Sequence, residues 1–250
     1  MKKFLLLFFF ISFLGFSQVE KAIDPYSFSD TQIKNLSLSQ KIVNPSKSVR
    51  EALREDEIDK QNGRPPRFGL LKRVNFNLEN SGIWEDTPEG GKLWRLKIKS
   101  PSAKSINLIY DKFHIPDGAT LHIYNGKKSH VIGAFTSQNN KGTFKKPGKF
   151  ATGLVYGDEI VIEYYQGPKI KLEPIISVSG VIHGYKFIQI LKKFVDDDLS
   201  EVGYGDSGPC QVDINCPEGN DWQEEKKGVA LMLISSGTRW CSGSLVNNTD

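Results

Sequence analysis

The middle of the chain, from about residue 70 to residue 190, consists of short runs in which apolar and polar residues alternate. Within residues 92–100, Trp94, Leu96 and Ile98 share one side of an extended chain, and basic residues dominate the other side. A period of two is typical of a strand with one buried face. The same reading predicts further strands at 105–113, 120–126, 130–137, 150–167 and 170–185.

Turn-forming residues separate these runs. They are Pro-Asp-Gly at 116–118, Asn-Gly at 125–126, Pro-Gly at 147–148 and Gly-Asp at 157–158. Short strands joined by such turns pair antiparallel with their neighbours. We therefore predict a mostly β protein, with an antiparallel β-sandwich of jelly-roll type over residues 80–190.

The segment before the sandwich, residues 18–79, is polar and mostly irregular. It contains one predicted helix over residues 45–63, for which either Ser46 or Ser48 is the N-cap and Gly63 is the stop. The helix carries many charged residues, and we interpret them as a face turned toward solvent.

The segment after the sandwich changes character twice. Residues 191–205 combine two lysines, an acidic run and two glycines, which is typical of a linker. A second domain is predicted over residues 206–250. Its most regular part is a pair of strands, 229–234 and 239–247, joined by a Ser-Ser-Gly turn.

The first 17 residues have the composition of a secretory signal peptide. Lys2 and Lys3 precede the apolar run 4–16, and Gly15 and Ser17 are the small residues expected before a cleavage site. An uncleaved membrane anchor is the alternative. No later run is apolar enough to span a membrane, so we expect a secreted protein that leaves the membrane once the signal peptide is removed.

Composition excludes one class of partner. The chain has 33 basic and 29 acidic residues, for a net charge of +4, and 38% of its residues are hydrophobic. A surface of mixed charge gives no basis for nucleic-acid binding.

Two residue patterns raise the question of a metal site. The cysteines all lie late in the chain, at Cys210, Cys216 and Cys241. Export favours disulfides, and an odd number leaves either a free thiol or partners elsewhere. A Cys-x5-Cys spacing fits zinc poorly. Three histidines recur every eight residues, and we interpret them as ordinary surface or half-buried residues: His114, His122 and His130. No metal or cofactor site is predicted.

Four aromatic residues allow two interpretations: Trp84, Trp94, Tyr164 and Tyr165. They could stack on sugars, or they could pack in the core. Core packing is favoured because Trp94 lies on the apolar side of its strand. The first possibility leaves an alternative function open, a secreted β-sandwich binding or adhesion module with a cysteine-bearing tail.

The tetrapeptide Gly-Asp-Ser-Gly at 205–208 resembles the surroundings of a protease nucleophile. A serine requires a general base, usually histidine, and in the chymotrypsin order that histidine comes first. The chain's histidines, the last of which is His183, all fall in the predicted sandwich, and Pro209 replaces the expected second glycine. We therefore do not interpret Ser207 as catalytic.

Three elements of the second domain together resemble the mature N-terminus of lysyl endopeptidases, which are secreted bacterial serine proteases of trypsin-like fold. These elements are Ser-Gly-Pro-Cys at 207–210, Asn-Cys-Pro-Glu-Gly at 215–219 and Cys-Ser-Gly-Ser-Leu-Val-Asn-Asn at 241–248. Residues 80–185 resemble the propeptide of the same proteases.

The resemblance implies that the chain is the N-terminal portion of a serine endopeptidase precursor. Residues 18–205 would be the propeptide, and residues 206–250 would begin a trypsin-like β-barrel. The Ser-His-Asp triad, which would hydrolyse protein and peptide substrates, would lie beyond residue 250, so the chain itself holds no catalytic residue and should be inactive.

The resemblance also implies roles for other residues. The propeptide should contact the protease part within the same chain. The three cysteines should be half-cystines that pair with later residues. A lysine-selecting protease could process its own precursor after Lys193, although a cut nearer Gly205 is also possible.

Overall fold

The computed structural model describes residues 23–29, 38–186 and 217–244. Within these ranges lie two α-helices, α1 (Tyr26–Ser29) and α2 (Val49–Gln61). The same ranges contain fourteen strands: β1 (Gln40–Ile42), β2 (Gly69–Asn77), β3 (Ile83–Asp86), β4 (Lys92–Lys99), β5 (Ser105–His114), β6 (Thr120–Asn125), β7 (Val131–Phe135), β8 (Gly142–Thr143), β9 (Lys146–Ala151), β10 (Val155–Tyr156), β11 (Glu159–Gln166), β12 (Ile175–Gly184), β13 (Val229–Ile234) and β14 (Arg239–Ser244). Short 3₁₀ turns lie at Ser137–Asn139, Pro217–Trp222 and Glu225–Gly228.

Strands β1 to β12 form two facing sheets. The first has the order β1-β4-β11-β6-β7, with β3 also paired to β4, and the second has the order β2-β12-β5-β9-β8, with β10 also paired to β5. When the eight longest sandwich strands are numbered along the chain, the first sheet reads 2-7-4-5 and the second 1-8-3-6. This is the order of a jelly roll, which confirms the predicted sandwich.

The core lies between the two sheets. As the alternation predicts, Trp94, Leu96 and Ile98 of β4 are buried there, and they belong to the same apolar cluster as Leu108 and Tyr110 of β5. Burial of these large side chains from both sheets is the main source of stability, at about 25 cal/mol for each Å² of apolar surface removed from water.

The sandwich begins earlier in the chain than the sequence suggests. Strand β2 lies inside the segment 18–79 predicted to be polar and mostly irregular, yet it pairs with β12 along its whole length. Strand β1 pairs parallel with β4. The boundary at residue 80 is therefore wrong. The reason is that β2 alternates half-buried apolar residues with exposed polar ones, so its composition resembles that of the preceding polar segment.

Helix α2 forms within the predicted range. The Oγ atom of Ser48 accepts a hydrogen bond from the Glu51 N–H at 3.2 Å, so Ser48 rather than Ser46 is the N-cap. After the helix, Gly63 adopts a positive φ of 64°, a conformation that glycine reaches without strain.

Strands β13 and β14 form the predicted hairpin, and their first five residue pairs run from Ile234–Arg239 to Ala230–Gly243. Ser235, Ser236 and Gly237 in the turn all have positive φ. We call β13, β14 and this turn the hairpin. Other sequence-based predictions lie outside the described residues: the signal peptide 1–17, the linker 191–205 with Lys193, and residues 245–247 of the second strand.

Across the described ranges, no helix combines the length and hydrophobicity that crossing a membrane requires.

Candidate functional site

The outer surface of the second sheet is apolar near one end. We call this surface the docking face, and it consists of Phe68, Leu71, Ile109, Leu154 and Ile182. An antiparallel sheet commonly presents a polar outer face to water. Exposure of these five apolar side chains to water would be unfavourable, so another part of the chain is expected to cover them. Phe68 and Ile182 are in fact fully buried, which shows that the cover is present.

The hairpin provides that cover. Leu231 and Leu233 lie on one face of β13, and Trp240 is the cross-strand partner of Leu233 on β14. These three side chains pack against the docking face in a single apolar cluster. The hairpin thus buries one of its own faces and the outer face of the sheet at the same time.

Backbone hydrogen bonds fix the register of this contact. The Phe68 N–H donates to the Thr238 carbonyl at 3.0 Å, and the Trp240 N–H donates to the Pro66 carbonyl at 3.1 Å. These bonds flank an isolated antiparallel bridge between the two segments. The chain just before β2 therefore pairs with the edge of β14, in the manner of strand addition.

The hairpin turn lies directly against the sheet. A Cβ atom on Gly237 would come within 2.8 Å of Ile182 Cδ1 and 3.0 Å of Asn107 Nδ2. Asn107 is only 1% exposed, and its side-chain amide has no hydrogen-bond partner among the described residues. A buried amide without partners opposes the buried state, by about 1–3 kcal/mol.

Three acidic residues of α2 lie beside the docking face. We call Glu55, Asp56 and Asp59 the carboxylate cluster. Arg67 donates hydrogen bonds to Glu55 and to Asp56, each at 2.9 Å, and to the Tyr185 hydroxyl at 3.1 Å. Arg67 directly precedes Phe68, so these bonds connect the helix to the start of the docking face.

The carboxylate cluster also binds the hairpin. Asp59 accepts hydrogen bonds from Arg239 of β14 and, at 3.1 Å, from Arg64. Asp56 forms an ion pair with Lys186 at 2.7 Å. The side chains of Asp56 and Asp59 are 9% and 12% exposed, so the interpretation of this charge as a solvent-facing surface is wrong for them. Their basic partners come from distant parts of the chain, which the local pattern cannot reveal.

These contacts favour the ionised forms of Asp59 and Glu55. The hydrogen bond from Arg239 holds the pKa of Asp59 below its ordinary value, against the opposing effect of burial. Hydrogen bonds from Lys47 and Arg67 lower the pKa of Glu55 in the same way. At neutral pH the hairpin therefore meets a helix on which Asp59 and Glu55 carry negative charge.

The histidines of the sandwich do not gather into one site. His122 and His183 are buried, and burial lowers the pKa of both. His122 Nε2 lies 2.8 Å from the Ile23 carbonyl oxygen, and His183 Nδ1 lies 2.8 Å from Ser100 Oγ. Among the described residues, no group of three or more His, Cys, Asp or Glu side chains could hold a metal ion.

The four aromatic residues divide into two groups. Trp94 and Tyr164 are buried in the core, as predicted. Trp84 is 36% exposed and meets Tyr164 edge to face, and Tyr165 stacks on Tyr26 at 4.4 Å between ring centroids. The four rings therefore do not form one exposed platform.

Cys241 is the one cysteine within the described residues, and it is a free, exposed thiol on β14. Cys210, Cys216 and Ser207 lie outside those residues, so the disulfide roles stay predictions.

Sequence reasoning missed the docking face. One signal was available, because Val181 and Ile182 are consecutive apolar residues in a strand, and one of the two must point away from the core. The register of β12 shifts between Val178 and Gly180, and this irregularity precedes the pair.

Comparison with known proteins gives two findings. Residues 204–250 match the family model described as lysyl endopeptidase, C-terminal domain. An isomalto-dextranase structure from Arthrobacter globiformis T6, complexed with panose, aligns over 47% of this chain and 22% of its own, with 14% identity and a TM-score of 0.24. A TM-score this low does not indicate a shared fold. The family match includes the whole hairpin, so this part of the chain is similar to a domain of the lysyl endopeptidases.

Proposed function

We propose that this chain is the leading part of a secreted serine endopeptidase precursor. Residues 18–205 would be the propeptide, and residues 206–250 would supply the first strands of a trypsin-like β-barrel. The complete enzyme would hydrolyse peptide bonds through a Ser-His-Asp triad located beyond residue 250. One observation carries this proposal: the part of the chain that matches lysyl endopeptidases includes the hairpin that covers the docking face.

The sandwich would act on the protease part through this contact. A two-stranded hairpin is at best marginally stable in water, because it has no second layer against which to bury its apolar face. The docking face provides that layer for Leu231, Leu233 and Trp240. A propeptide of this kind would stabilise the first strands while the rest of the barrel forms, and it would keep the enzyme inactive until it leaves.

Residues 1–250 would have no hydrolytic activity of their own. The chain contains four histidines, and the last of them is His183 in the sandwich. A hydroxyl near neutral pH is a weak nucleophile without an adjacent base. We therefore expect Ser207 to have no catalytic role, and we expect maturation by cleavage after Lys193 or nearer Gly205.

The alternative of a binding module has less support. A sugar-binding platform needs exposed aromatic faces, but Trp94 and Tyr164 lie in the core and Tyr165 is stacked on Tyr26. Of the four residues, Trp84 alone offers a substantially exposed ring, which is weak ground for carbohydrate recognition.

Two proteins test the proposal: the product of the complete reading frame, and residues 18–250 produced alone. Each is assayed with peptide amides that carry Lys, Arg or neutral residues before the scissile bond, and the secreted product is sequenced from its N-terminus. We expect activity only from the longer protein, with a mature N-terminus between Phe194 and Asp206.

Two results would contradict this reading. Turnover by residues 18–250 that disappears in Ser207→Ala would make Ser207 a nucleophile. A fully active enzyme that keeps residues 80–185 covalently attached would make the sandwich a permanent module.

A further inference from the structure

We propose that the docking face is a receptor that holds the hairpin without help from the linker, and that Asn107 weakens this hold so that the hairpin can leave. The inference rests on the proposed function for its biological meaning, because it describes how a propeptide and a protease part would separate. Cleavage of the linker would then produce a bound pair of fragments, and their separation would be a second, slower step.

Among the described residues, every contact that holds the hairpin comes from the sandwich or from α2. Apolar packing joins Trp240 to Phe68 and Ile182. Backbone bonds join the segment before β2 to β14, and an ion pair joins Asp59 to Arg239. Each contact lies between residues of the sandwich or α2 and residues of the hairpin. We therefore expect the hairpin to stay bound after the covalent connection through residues 187–216 is cut.

Asn107 opposes this hold. It lies on the central strand β5, and its side chain is buried where the Gly237 turn meets the sheet. With no partner for either amide atom among the described residues, the docked state leaves this group without the hydrogen bonds that water would provide. Departure of the hairpin restores those bonds, so the release of the hairpin is favoured at this position.

Arg239 gives the contact its specificity. Besides binding Asp59, its guanidinium donates to the Pro65 carbonyl, so both partners lie on the sandwich side of the contact. Arg64 binds the same carboxylate but is 64% exposed at its side chain. The two arginines therefore allow a matched comparison. Substitution of Arg239 removes a contact between the hairpin and α2, whereas substitution of Arg64 removes an ion pair at the surface.

The test uses residues 18–250 with residues 196–200 replaced by the recognition sequence of an unrelated site-specific protease. After cleavage, gel filtration at micromolar concentration reports whether the fragments co-elute. The dissociation rate is measured by surface plasmon resonance with the sandwich fragment immobilised. We expect the fragments to co-elute and to dissociate at a measurable rate.

Three variants test the residues involved. Asn107→Val should slow dissociation by about tenfold, because it removes the unpaired amide while keeping a similar volume. Arg239→Ala should speed dissociation several-fold, whereas Arg64→Ala should change it by less than about twofold. If Asn107→Val impairs folding, the hairpin variant Gly237→Ala replaces it. It should speed dissociation, and Gly90→Ala, at a positive-φ glycine in the turn between β3 and β4, should not.

If the unmodified fragments separated as soon as the linker was cut, the proposal that the docking face holds the hairpin would be wrong. An Asn107→Val variant that folds but dissociates at the original rate or faster would overturn the role of Asn107. Neither result depends on the peptidase assay of the complete enzyme. A failure of the proposed function would therefore leave a bound fragment pair, and a failure of this inference would leave an active protease.

Discussion

The two sheets of the sandwich both have their outer faces covered by a distant part of the chain, but the two covers differ in kind. On the first sheet, Arg95, Glu163 and His122 form a row of polar residues across β4, β11 and β6. Residues 23–29 lie over this row. On the second sheet the covered residues are apolar, and the cover is the hairpin.

The polar cover is matched atom by atom. The Glu163 carboxylate, which is fully buried, accepts hydrogen bonds from the Ser27 N–H at 3.0 Å, the Ser27 Oγ at 2.5 Å and the Tyr124 hydroxyl at 2.9 Å. Arg95 is paired with Glu85 at 2.6 Å. A buried charge without such partners would destabilise the fold strongly, so this segment is a fixed part of the sandwich.

The apolar cover depends less on precise pairing of individual atoms. Apolar contacts are non-directional. Beside the docking face lie the Asp59–Arg239 ion pair and, beneath the turn, the unpaired amide of Asn107. This difference fits our proposal that the cover on the first sheet is permanent and the cover on the second sheet can leave.

Removal of Phe68 should have the largest effect. Phe68→Ala deletes a fully buried ring between the sheet and the hairpin, and it should lower the free energy of unfolding of residues 18–250 by about 3–5 kcal/mol. Urea denaturation followed by tryptophan fluorescence measures this change. The matched control, Phe144→Ala, removes an exposed ring, and a comparable loss from it would show that the docking face has no special role.

Removal of one hydroxyl should disturb the polar cover. Ser27→Ala takes a donor from the buried Glu163 carboxylate, and it should lower the free energy of unfolding by about 1.5–3 kcal/mol. Ser29→Ala, two residues away, removes an exposed hydroxyl and should change it by less than about 0.5 kcal/mol. Equal effects in thermal melts of the two variants would mean that residues 23–29 are not matched to the face beneath them.

Loss of the helix cap should have a smaller effect, through the helix that carries the carboxylate cluster. Ser48→Ala removes the bond to the Glu51 N–H and should destabilise the protein by about 1 kcal/mol. Ser46→Ala serves as the control, because this exposed serine is not the N-cap. Equal urea midpoints for the two variants would argue against the assigned cap.

The smallest expected effect is on pH dependence at the polar face. Burial lowers the pKa of His122 from its ordinary value of 6.5, although Glu163 and Asp24 act in the opposite direction. The unfolded chain then binds a proton more readily than the folded one, so this contribution to stability is complete above pH 6.5 and declines as the pH falls below it. His122→Gln should reduce the fall of the urea midpoint between pH 7 and pH 5. Burial lowers the pKa of His183 in the same direction, so part of the pH dependence of the urea midpoint should remain in this variant. If the pH dependence did not change at all, the prediction would be contradicted.

Features that depend on neighbouring residues could be predicted from the sequence. The alternation around Trp94 places that residue in the core, and Ser-Ser-Gly at 235–237 places the hairpin turn correctly, because these signals act over a few residues. The cysteine and glycine spacings likewise resemble the lysyl endopeptidases, and residues 204–250 match that family. Sandwich class, helix and hairpin are all determined at this local level.

The candidate site was decided by the tertiary structure. Asp59 and Arg239 are 180 residues apart, and Ser27 and Glu163 are 136 residues apart. A local pattern shows which face of a strand or helix is polar, but it does not show what will cover that face. The charges of α2 resemble a solvated surface in sequence, and they are partly buried because folding brings Arg67 and Arg239 against them. Whether a charge stays in water depends on the partners that the fold brings to it, and those partners are separated from it by most of the chain.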